Sequence, residues 1–175
     1  MKTLLVIPCY NHSKYLPDLL KKIRKYYNDD ILIIDDGSSC SIKIKQSNLD
    51  IIRNDINKGK GFSIIKAAKY AIDNKYSHII TLDSDMQHDP KYINDFLTID
   101  KDTMLVYGRR TFFTNMPTHR SLSNYFTSLI LTCLCNKKIY DSQCGYRRYN
   151  LNLFINSTFE ENGYQFESEI LLKKI

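Results

Sequence analysis

Short apolar runs without inside–outside alternation constrain the fold of this chain most. The clearest are residues 3–7 (TLLVI), 31–34 (ILII) and 78–82 (HIITL). A strand whose side chains are apolar on both sides must be covered on both faces, which is typical of a parallel sheet between helices. Apolar residues at helical spacing separate the runs, at positions 16, 19, 20 and 23 and at positions 64, 65, 68, 71 and 72. The sequence therefore predicts an α/β fold with a mostly parallel sheet.

The remaining elements are less regular. We expect a weaker strand at 50–53, a helix at 91–98, a strand at 104–107, a helix at 121–135 and a closing helix at 167–175, with 141–148 as a turn or short strand. No repeat or linker divides these elements, and 175 residues suit a single core. We therefore expect one domain over residues 1–175.

Polar residues follow each of the three apolar runs. They are PCYN at 8–11, DDGS at 35–38 and DSD at 83–85. In open α/β sheets, ligands bind in the crevice beyond the carboxyl ends of the strands. We therefore expect these three segments to meet in one polar site.

The third of these segments has the composition of a metal site. Asp83 and Asp85 alternate at the end of a strand, and Gln87 follows two residues later, so that all three offer oxygen ligands on one side. Oxygen donors suit Mg²⁺ or Mn²⁺, and the phosphates of a substrate commonly complete the shell of Mg²⁺. His88 is a softer donor, which we expect outside that shell. The alternative is a solvated acidic loop.

Two other segments allow two interpretations each. Asp35 and Asp36 either accept hydrogen bonds from a nucleobase or a ribose, or stabilise a turn through local backbone N–H groups. Residues 57–61 (NKGKG) either bring Lys58 or Lys60 to a phosphate or form a flexible start of a helix, and they lack the spacing of a P-loop.

The net charge indicates which kind of partner the protein binds, and the cysteines indicate in which cellular compartment it works. The net charge of +6 favours anionic partners such as nucleotides, phosphorylated lipids or nucleic acid. The five cysteines form no CxxC pair, and no apolar run reaches the roughly 20 residues that span a bilayer. We expect a cytoplasmic protein, either free or peripheral at the cytoplasmic face of a membrane.

Taken together, six motifs in this order resemble those of inverting family-two glycosyltransferases. The most similar subgroup is that of dolichyl-phosphate mannose synthase and the bacterial polyprenyl-phosphate glycosyltransferases. The motifs are VIPCYNHSKYL (6–16), IIDDGSS (33–39), NKGKGFSIIKAAKYA (57–71), IITLDSDMQHDP (79–90), YGRR (107–110) and DSQCGYRRYN (141–150).

The resemblance implies the GT-A fold, a Rossmann-like sheet with helices on both faces. It also implies a nucleotide-diphosphate-sugar donor and Mg²⁺ or Mn²⁺ at the DxD motif. For the metal and the diphosphate it implies Asp83, Asp85 and Gln87. For the nucleotide it implies Pro8, Tyr10 and Asp36, to which we add Asp35 and Lys60 as further nucleotide-binding candidates, with Asp83 shared between the nucleotide and the metal.

On the acceptor side, the resemblance implies phosphate contacts from Arg109, Arg120 and Arg147. Asp141 matches an acidic position near the acceptor, and Glu169 matches a recurring Glu of the closing helix. The chain ends inside that helix, so we expect it to lack a further acceptor-side segment of the family. It also departs from the family at His12, where Glu is common.

We therefore expect a metal-dependent inverting glycosyltransferase that moves a hexose from a GDP- or UDP-sugar to a polyprenyl or dolichyl phosphate in envelope glycan synthesis. A lipid phosphate is already anionic and needs charge neutralisation, whereas a sugar hydroxyl needs a base. The arginine-rich later segments favour the first acceptor. A transferase acting on a saccharide hydroxyl, or a nucleotide-sugar-binding module without turnover, remains the alternative, and we expect no nucleic-acid partner.

The helix at 121–135 has a stripe of apolar residues followed by Lys137 and Lys138. The stripe either packs on the core or lies against lipid.

Overall fold

A mixed sheet forms the centre of the molecule. The computed structural model describes residues 1–110, 118–155 and 157–174, and for residues 118–121 and 174 only the backbone. This part of the chain holds the six strands β1 (Thr3–Cys9), β2 (Ile31–Asp35), β3 (Leu49–Arg53), β4 (His78–Thr81), β5 (Leu105–Tyr107) and β6 (Arg147–Asn150). The helices are α1 (Leu16–Ile23), α2 (Lys60–Asp73), α3 (Ile93–Thr98), α4 (Thr118–Cys135), α5 (Asn152–Ile155) and α6 (Phe166–Lys174), with single 3-10 turns at Ser13–Tyr15 and Pro90–Tyr92.

The strand order is β3-β2-β1-β4-β6-β5. The first four strands are parallel, and Val6 of β1 pairs with Leu32 of β2 and with Thr81 of β4. β6 runs antiparallel to both β4 and β5 and lies between them. The predicted α/β class and mostly parallel sheet are confirmed.

The apolar runs are buried on both faces of the sheet, as predicted. Leu5 and Ile7 of β1 pack on the α1 side, whereas Leu4 and Val6 of the same strand pack on the α2 side. Each fully buried side chain of this size contributes about 1.5 to 3 kcal/mol to the free energy of folding. Successive strands therefore carry two cores, and their carboxyl ends remain at one edge for the site.

The strand β6 has an unusual sequence for the interior of a sheet. It reads RRYN, yet all four residues are buried. Arg148 donates from Nη1 to the carbonyls of Phe96 (2.9 Å) and Ile99 (2.7 Å) and from Nη2 to that of Asp100 (2.6 Å), which end α3. Because a buried guanidinium is costly unless its donors are paired, these carbonyls make the strand possible. Periodicity alone predicted only a turn or short strand here.

Arg147 is buried in the same way. Its Nε donates to the carbonyl of Cys144 (2.7 Å), Nη1 to that of Glu167 (2.8 Å) and Nη2 to that of Ser142 (2.6 Å). The guanidinium therefore ties the loop before β6 to the start of α6. The structure does not bring Arg147 to a surface where it would meet a phosphate, and its contacts are those of a structural residue.

Arg148→Lys tests whether the guanidinium of Arg148 stabilises the buried strand β6. Lysine has a single ammonium group and cannot reproduce the planar fork that reaches three carbonyls. We expect the free energy of unfolding to fall by about 2 kcal/mol in urea titrations at neutral pH. The exposed Arg109 provides the control, because Arg109→Lys should change stability by less than about 0.5 kcal/mol. An unchanged unfolding midpoint for Arg148→Lys would contradict this role.

Candidate active site

A cavity of about 1360 Å³ opens beyond the carboxyl end of β4. It exceeds the roughly 300 to 1,000 Å³ of sites for one small molecule, so it has room for two ligands. Its walls come from the loop after β4, the end of β5, α4, the loop before β6 and the start of α6. The charged or titratable side chains that line it include Lys60, Asp83, Asp85, His88, Asp89, Arg109, Arg110, Tyr164 and Glu167.

Lys60 links two carboxylates in this cavity. Its Nζ lies 2.6 Å from Asp83 Oδ1 and 2.6 Å from Glu167 Oε1. His88 Nε2 lies 3.2 Å from the other oxygen of Asp83. Burial alone would lower the pKa of Lys60, but the two carboxylates outweigh it and raise that pKa. Burial likewise opposes ionisation of Asp83, but Lys60 and His88 hold its pKa below the usual range.

Two glycines make room for this group. A Cβ at Gly145 would fall on the Lys60 ammonium and the Asp83 carboxylate, so any larger residue there would displace this pair. Gly59 has φ +96°, and a Cβ there would meet the carbonyl of Asn162. The segment around Asn162 thus crosses the start of α2 at backbone contact distance, and the N–H of Phe62 donates to the Asn162 carbonyl (3.1 Å).

Asp36 lies beneath the loop that leads to Lys60. Its Oδ1 accepts from Asn54 Nδ2 (2.7 Å) and from the N–H of Lys58 (3.0 Å), and Oδ2 accepts from the N–H of Gly59 (2.8 Å). Its side chain is buried. The contacts of Asp36 therefore fix the backbone that presents Lys60 to Asp83.

Asp35 is held in a turn of its own. Its carboxylate pairs with Arg53 and accepts from the N–H groups of Ser38 (3.0 Å) and Ile42 (3.4 Å). Burial would raise its pKa, but the bonds from Ser38 and Arg53 outweigh this and lower it. The structure does not bring Asp35 to the cavity, and its contacts match the turn interpretation.

The first strand end lies beside the second. Asn11 donates its N–H to Ser38 Oγ (3.0 Å), and Asn11 Oδ1 accepts from Ser39 N–H (2.9 Å). Pro8 is half-buried in β1, and the Tyr10 ring is 47% exposed. Neither lines the cavity around Asp83, so the three predicted strand ends form two adjoining surfaces.

The DxD segment offers oxygen donors to the cavity. Asp83, Asp85 and Gln87 all line it, and Asp85 Oδ1 accepts from the backbone N–H of Gln87 (3.0 Å). Within the described ranges, no three His, Cys, Asp or Glu side chains converge as a ready metal site. Two carboxylates and an amide oxygen fit a divalent cation whose shell a diphosphate completes.

Asp141 is enclosed by its partners on the opposite side of the cavity. Its Oδ1 accepts from Arg110 Nη2 and Asn124 Nδ2 (both 2.8 Å), and its Oδ2 accepts from the Nε (2.8 Å) and backbone N–H (3.1 Å) of Arg110. The side chain has no exposed surface. Burial would raise its pKa, but Arg110 and Asn124 outweigh this and lower it. Asp141 therefore stays ionised and orients Arg110, which does line the cavity.

The remaining predicted residues differ in position. Arg109 lines the cavity, and its guanidinium carbon lies 4.4 Å from the centre of the Tyr140 ring, which Lys138 Nζ also approaches at 5.0 Å. Arg120 is in the first turn of α4, but its side chain lies outside the described residues. Glu169 does not reach the cavity. It accepts from the N–H groups of Glu160 (3.0 Å) and Glu161 (3.1 Å) and pairs with Lys173 (2.7 Å).

Sequence reasoning missed Arg110 and Glu167 and left His88 aside. Arg110 and Glu167 are immediate or near neighbours of the predicted Arg109 and Glu169. The motif therefore marked the correct segments, but it did not tell that Arg110 lines the cavity together with Arg109, or that Glu167 lines it and Glu169 does not. The positions of Arg110 and Glu167 depend on their partners, Asp141 and Lys60, which lie far away in the sequence.

The outer face of α4 is apolar. Asn124 and Ser128 point inwards, where Asn124 binds Asp141 and Ser128 Oγ binds Ser142 Oγ (3.0 Å). The apolar side chains with about half or more of their surface exposed are Leu122, Tyr125, Phe126, Leu129, Ile130 and Leu134. The core-packing interpretation of this stripe is therefore wrong. In the described ranges every helix is too short or too polar to span a bilayer.

Comparisons with known proteins agree with this architecture. The sequence model of the family Glycosyl transferase family 2 matches residues 4–168. An uncharacterized protein of Methanocaldococcus jannaschii is 35% identical over 186 residues, covering 96% of this chain and 80% of that protein. The UDP-N-acetylglucosamine–dolichyl-phosphate N-acetylglucosaminyltransferase of Methanococcus voltae is 27% identical over 173 residues, covering 83% of this chain and 68% of that protein.

A solved structure shows the same fold. Glucosyl-3-phosphoglycerate synthase of Mycobacterium tuberculosis, crystallised with Mn²⁺ and UDP-glucose, superposes with a TM-score of 0.76 at 16% identity. The superposition covers 98% of this chain and 64% of that chain, so this chain spans just under two thirds of its length. With a family match over nearly all residues and this structural likeness, the chain belongs to glycosyl transferase family 2 and has the GT-A fold.

Proposed function

We propose that this protein is a metal-dependent inverting glycosyltransferase that transfers a hexose from a nucleotide-diphosphate sugar to a polyprenyl or dolichyl phosphate. One observation carries the proposal: a single cavity joins the acidic donors Asp83 and Asp85 to the guanidinium groups of Arg109 and Arg110. The first pair suits a metal-bound diphosphate, and the second suits a phosphate acceptor.

On the donor side, Asp83, Asp85 and Gln87 are the residues that would hold Mg²⁺ or Mn²⁺. The metal, when bound, would neutralise the charge that develops on the leaving diphosphate. Lys60 supplies a further fixed positive charge next to Asp83. Because Asp83 and Glu167 hold the Lys60 ammonium in place before any substrate binds, little reorganisation is needed as that charge develops. Pro8 and Tyr10 remain candidates for the nucleoside, on the adjoining surface at the end of β1.

On the acceptor side, the state of Asp141 favours an acceptor that is already ionised. A carboxylate whose oxygens accept four hydrogen bonds from Arg110 and Asn124, and which has no exposed surface, is poorly placed to take a proton from a hydroxyl. Instead it holds Arg110 towards the cavity. A phosphate monoester needs such a cation and no base. The dolichyl-phosphate acceptor in the name of the Methanococcus voltae relative supports the same class.

The exposed stripe on α4 fits a lipid acceptor as well. Contiguous exposed apolar surface marks an interaction site, and Lys137 and Lys138, both exposed, begin two residues after the end of α4. An apolar face flanked by lysines complements an anionic membrane surface. We therefore propose that α4 lies against the membrane and that a lipid phosphate reaches Arg109 and Arg110 from that side.

Nucleotide and metal binding can be tested by thermal unfolding. A ligand that binds only the folded state at 100 times its Kd stabilises it by about 2.7 kcal/mol, which is several degrees in Tm. We expect UDP or GDP to raise Tm only when Mn²⁺ is present. Asp85→Asn should abolish the metal-dependent part, whereas Asp89→Asn, an exposed acid of the same loop, should retain it. Equal shifts with and without Mn²⁺ would contradict metal dependence.

The role of Asp141 can be tested by steady-state kinetics with a short polyprenyl phosphate. Arg110→Ala should raise the acceptor KM by about tenfold or more, a loss of roughly 1.4 kcal/mol, with the donor KM little changed. Asp141→Asn should likewise raise the acceptor KM and leave the donor KM little changed, because it releases Arg110. In this variant the rate should still fall at acidic pH as it does in the wild type, so that the pH–rate profile keeps its acidic limb. Loss of that limb in Asp141→Asn alone would indicate a general base and hence a saccharide hydroxyl as acceptor. Nucleotide binding without any turnover would indicate a binding module.

The membrane contact can be tested by co-sedimentation with vesicles of phosphatidylcholine and phosphatidylglycerol. Replacing Phe126, Leu129 and Ile130 together by Gln removes exposed apolar area but keeps good helix formers. We expect the triple variant to bind at least about tenfold more weakly, since each buried side chain of this kind contributes about 1.5 to 3 kcal/mol. Ile56→Gln combined with Tyr92→Gln, also exposed, is the control and should bind like the wild type. Equal binding by all three proteins would refute this surface.

A further inference from the structure

The ammonium group of Lys60 lies beside Asp83, where a divalent cation held by this carboxylate would also have to bind. Its Nζ is 2.6 Å from Asp83 Oδ1, and the Lys60 side chain is only 12% exposed. At this degree of burial, water screens the charge less than it would at the surface. Asp83 is therefore already neutralised by a cation that belongs to the protein.

Lys60 cannot leave this position without cost. Glu167 holds the ammonium from the other side at 2.6 Å, and the Glu167 side chain is only 3% exposed. If Lys60 moved into solvent, Glu167 would become a buried carboxylate without its cation, which is strongly unfavourable. Gly145 leaves just enough space for the ammonium and the Asp83 carboxylate. A divalent cation arriving alone at Asp83 would thus face a like charge that stays nearby.

A diphosphate removes this conflict because it satisfies both cations. Its anionic oxygens pair with an ammonium and complete the shell of a divalent ion at the same time. We propose that Lys60 is an internal counter-ion that excludes a lone divalent cation from Asp83, so that metal and nucleotide diphosphate bind this site together. The inference rests on the proposed function and adds to it a coupling between the two ligands.

The test measures Mn²⁺ binding directly, from the loss of the free-ion EPR signal, without sugar transfer. We expect the wild type to bind Mn²⁺ alone at least about tenfold more weakly than Lys60→Met, and to gain affinity when UDP or GDP is added. In Lys60→Met, the gain caused by the nucleotide should shrink by at least about tenfold. Lys58→Met is the matched control and should match the wild type, because the Lys58 side chain is exposed, with Nζ 4.7 Å from the centre of the Phe62 ring.

A second variant covers the case in which Lys60→Met fails to fold, as judged by circular dichroism. Lys60→Met combined with Glu167→Gln removes both charges and should keep the stronger binding of Mn²⁺ alone, since Asp83 remains free. If the wild type binds Mn²⁺ alone as well as the variants do, the inference is overturned and the proposed function stands. If the wild type binds no Mn²⁺ even with either nucleotide, the proposed function fails and the inference fails with it.

Discussion

The two guanidinium groups buried in β6 are the interaction on which the rest of the site depends. Arg148 binds backbone carbonyls at the C-terminal end of α3. Arg147 binds carbonyls of the start of α6 and of the loop before β6. That loop carries Gly145, and the start of α6 carries Glu167. Glu167, one of the two partners of Lys60, is therefore placed by a strand that has no apolar run of its own. The carbonyls accept from these donors, apart from Arg148 Nε, which is buried without a partner in the described part of the chain, and they add no negative charge that would compete for cations in the cavity.

The parallel half of the fold could be predicted from the sequence because its strands are apolar on both faces, as at 3–7 and 31–34. The position of β6 could not, since RRYN has neither alternation nor an apolar run, and its burial depends on carbonyls about 20 to 50 residues away. For the same reason the sequence marked the segments of Arg109 and Glu169, whereas only the pairing in three dimensions shows that Arg110 and Glu167 are held at the cavity by Asp141 and Lys60. For α4 the sequence predicted an apolar face but not whether this face lies against the core or outside it, because the periodicity is the same in both cases.

The site separates two electrostatic tasks. Around Asp83 a lysine and a histidine hold the pKa of this carboxyl low, and around Asp141 an arginine does the same through paired hydrogen bonds. In both places a buried acid, Glu167 for Lys60 and Asp141 for Arg110, holds a cation at the cavity. Such an arrangement suits the handling of anions at fixed positions more than the movement of protons. It also explains why the charged residues of the cavity occur in pairs from distant parts of the chain.

The segment that crosses the start of α2 decides how this helix can meet an anion. The positive end of a helix dipole commonly receives phosphates through free N–H groups. Here the chain supplies its own acceptor, since the Phe62 amide is already bonded to the Asn162 carbonyl and Gly59 permits that close crossing. This amide of the helix terminus is thus closed by backbone, and the positive charge offered to a phosphate is the ammonium of Lys60, the first residue of α2, which Asp83 and Glu167 hold in place. A phosphate arriving here would therefore meet an ammonium at a fixed position, so the depth at which it could bind would be set by Asp83 and Glu167 and not by the helix amides.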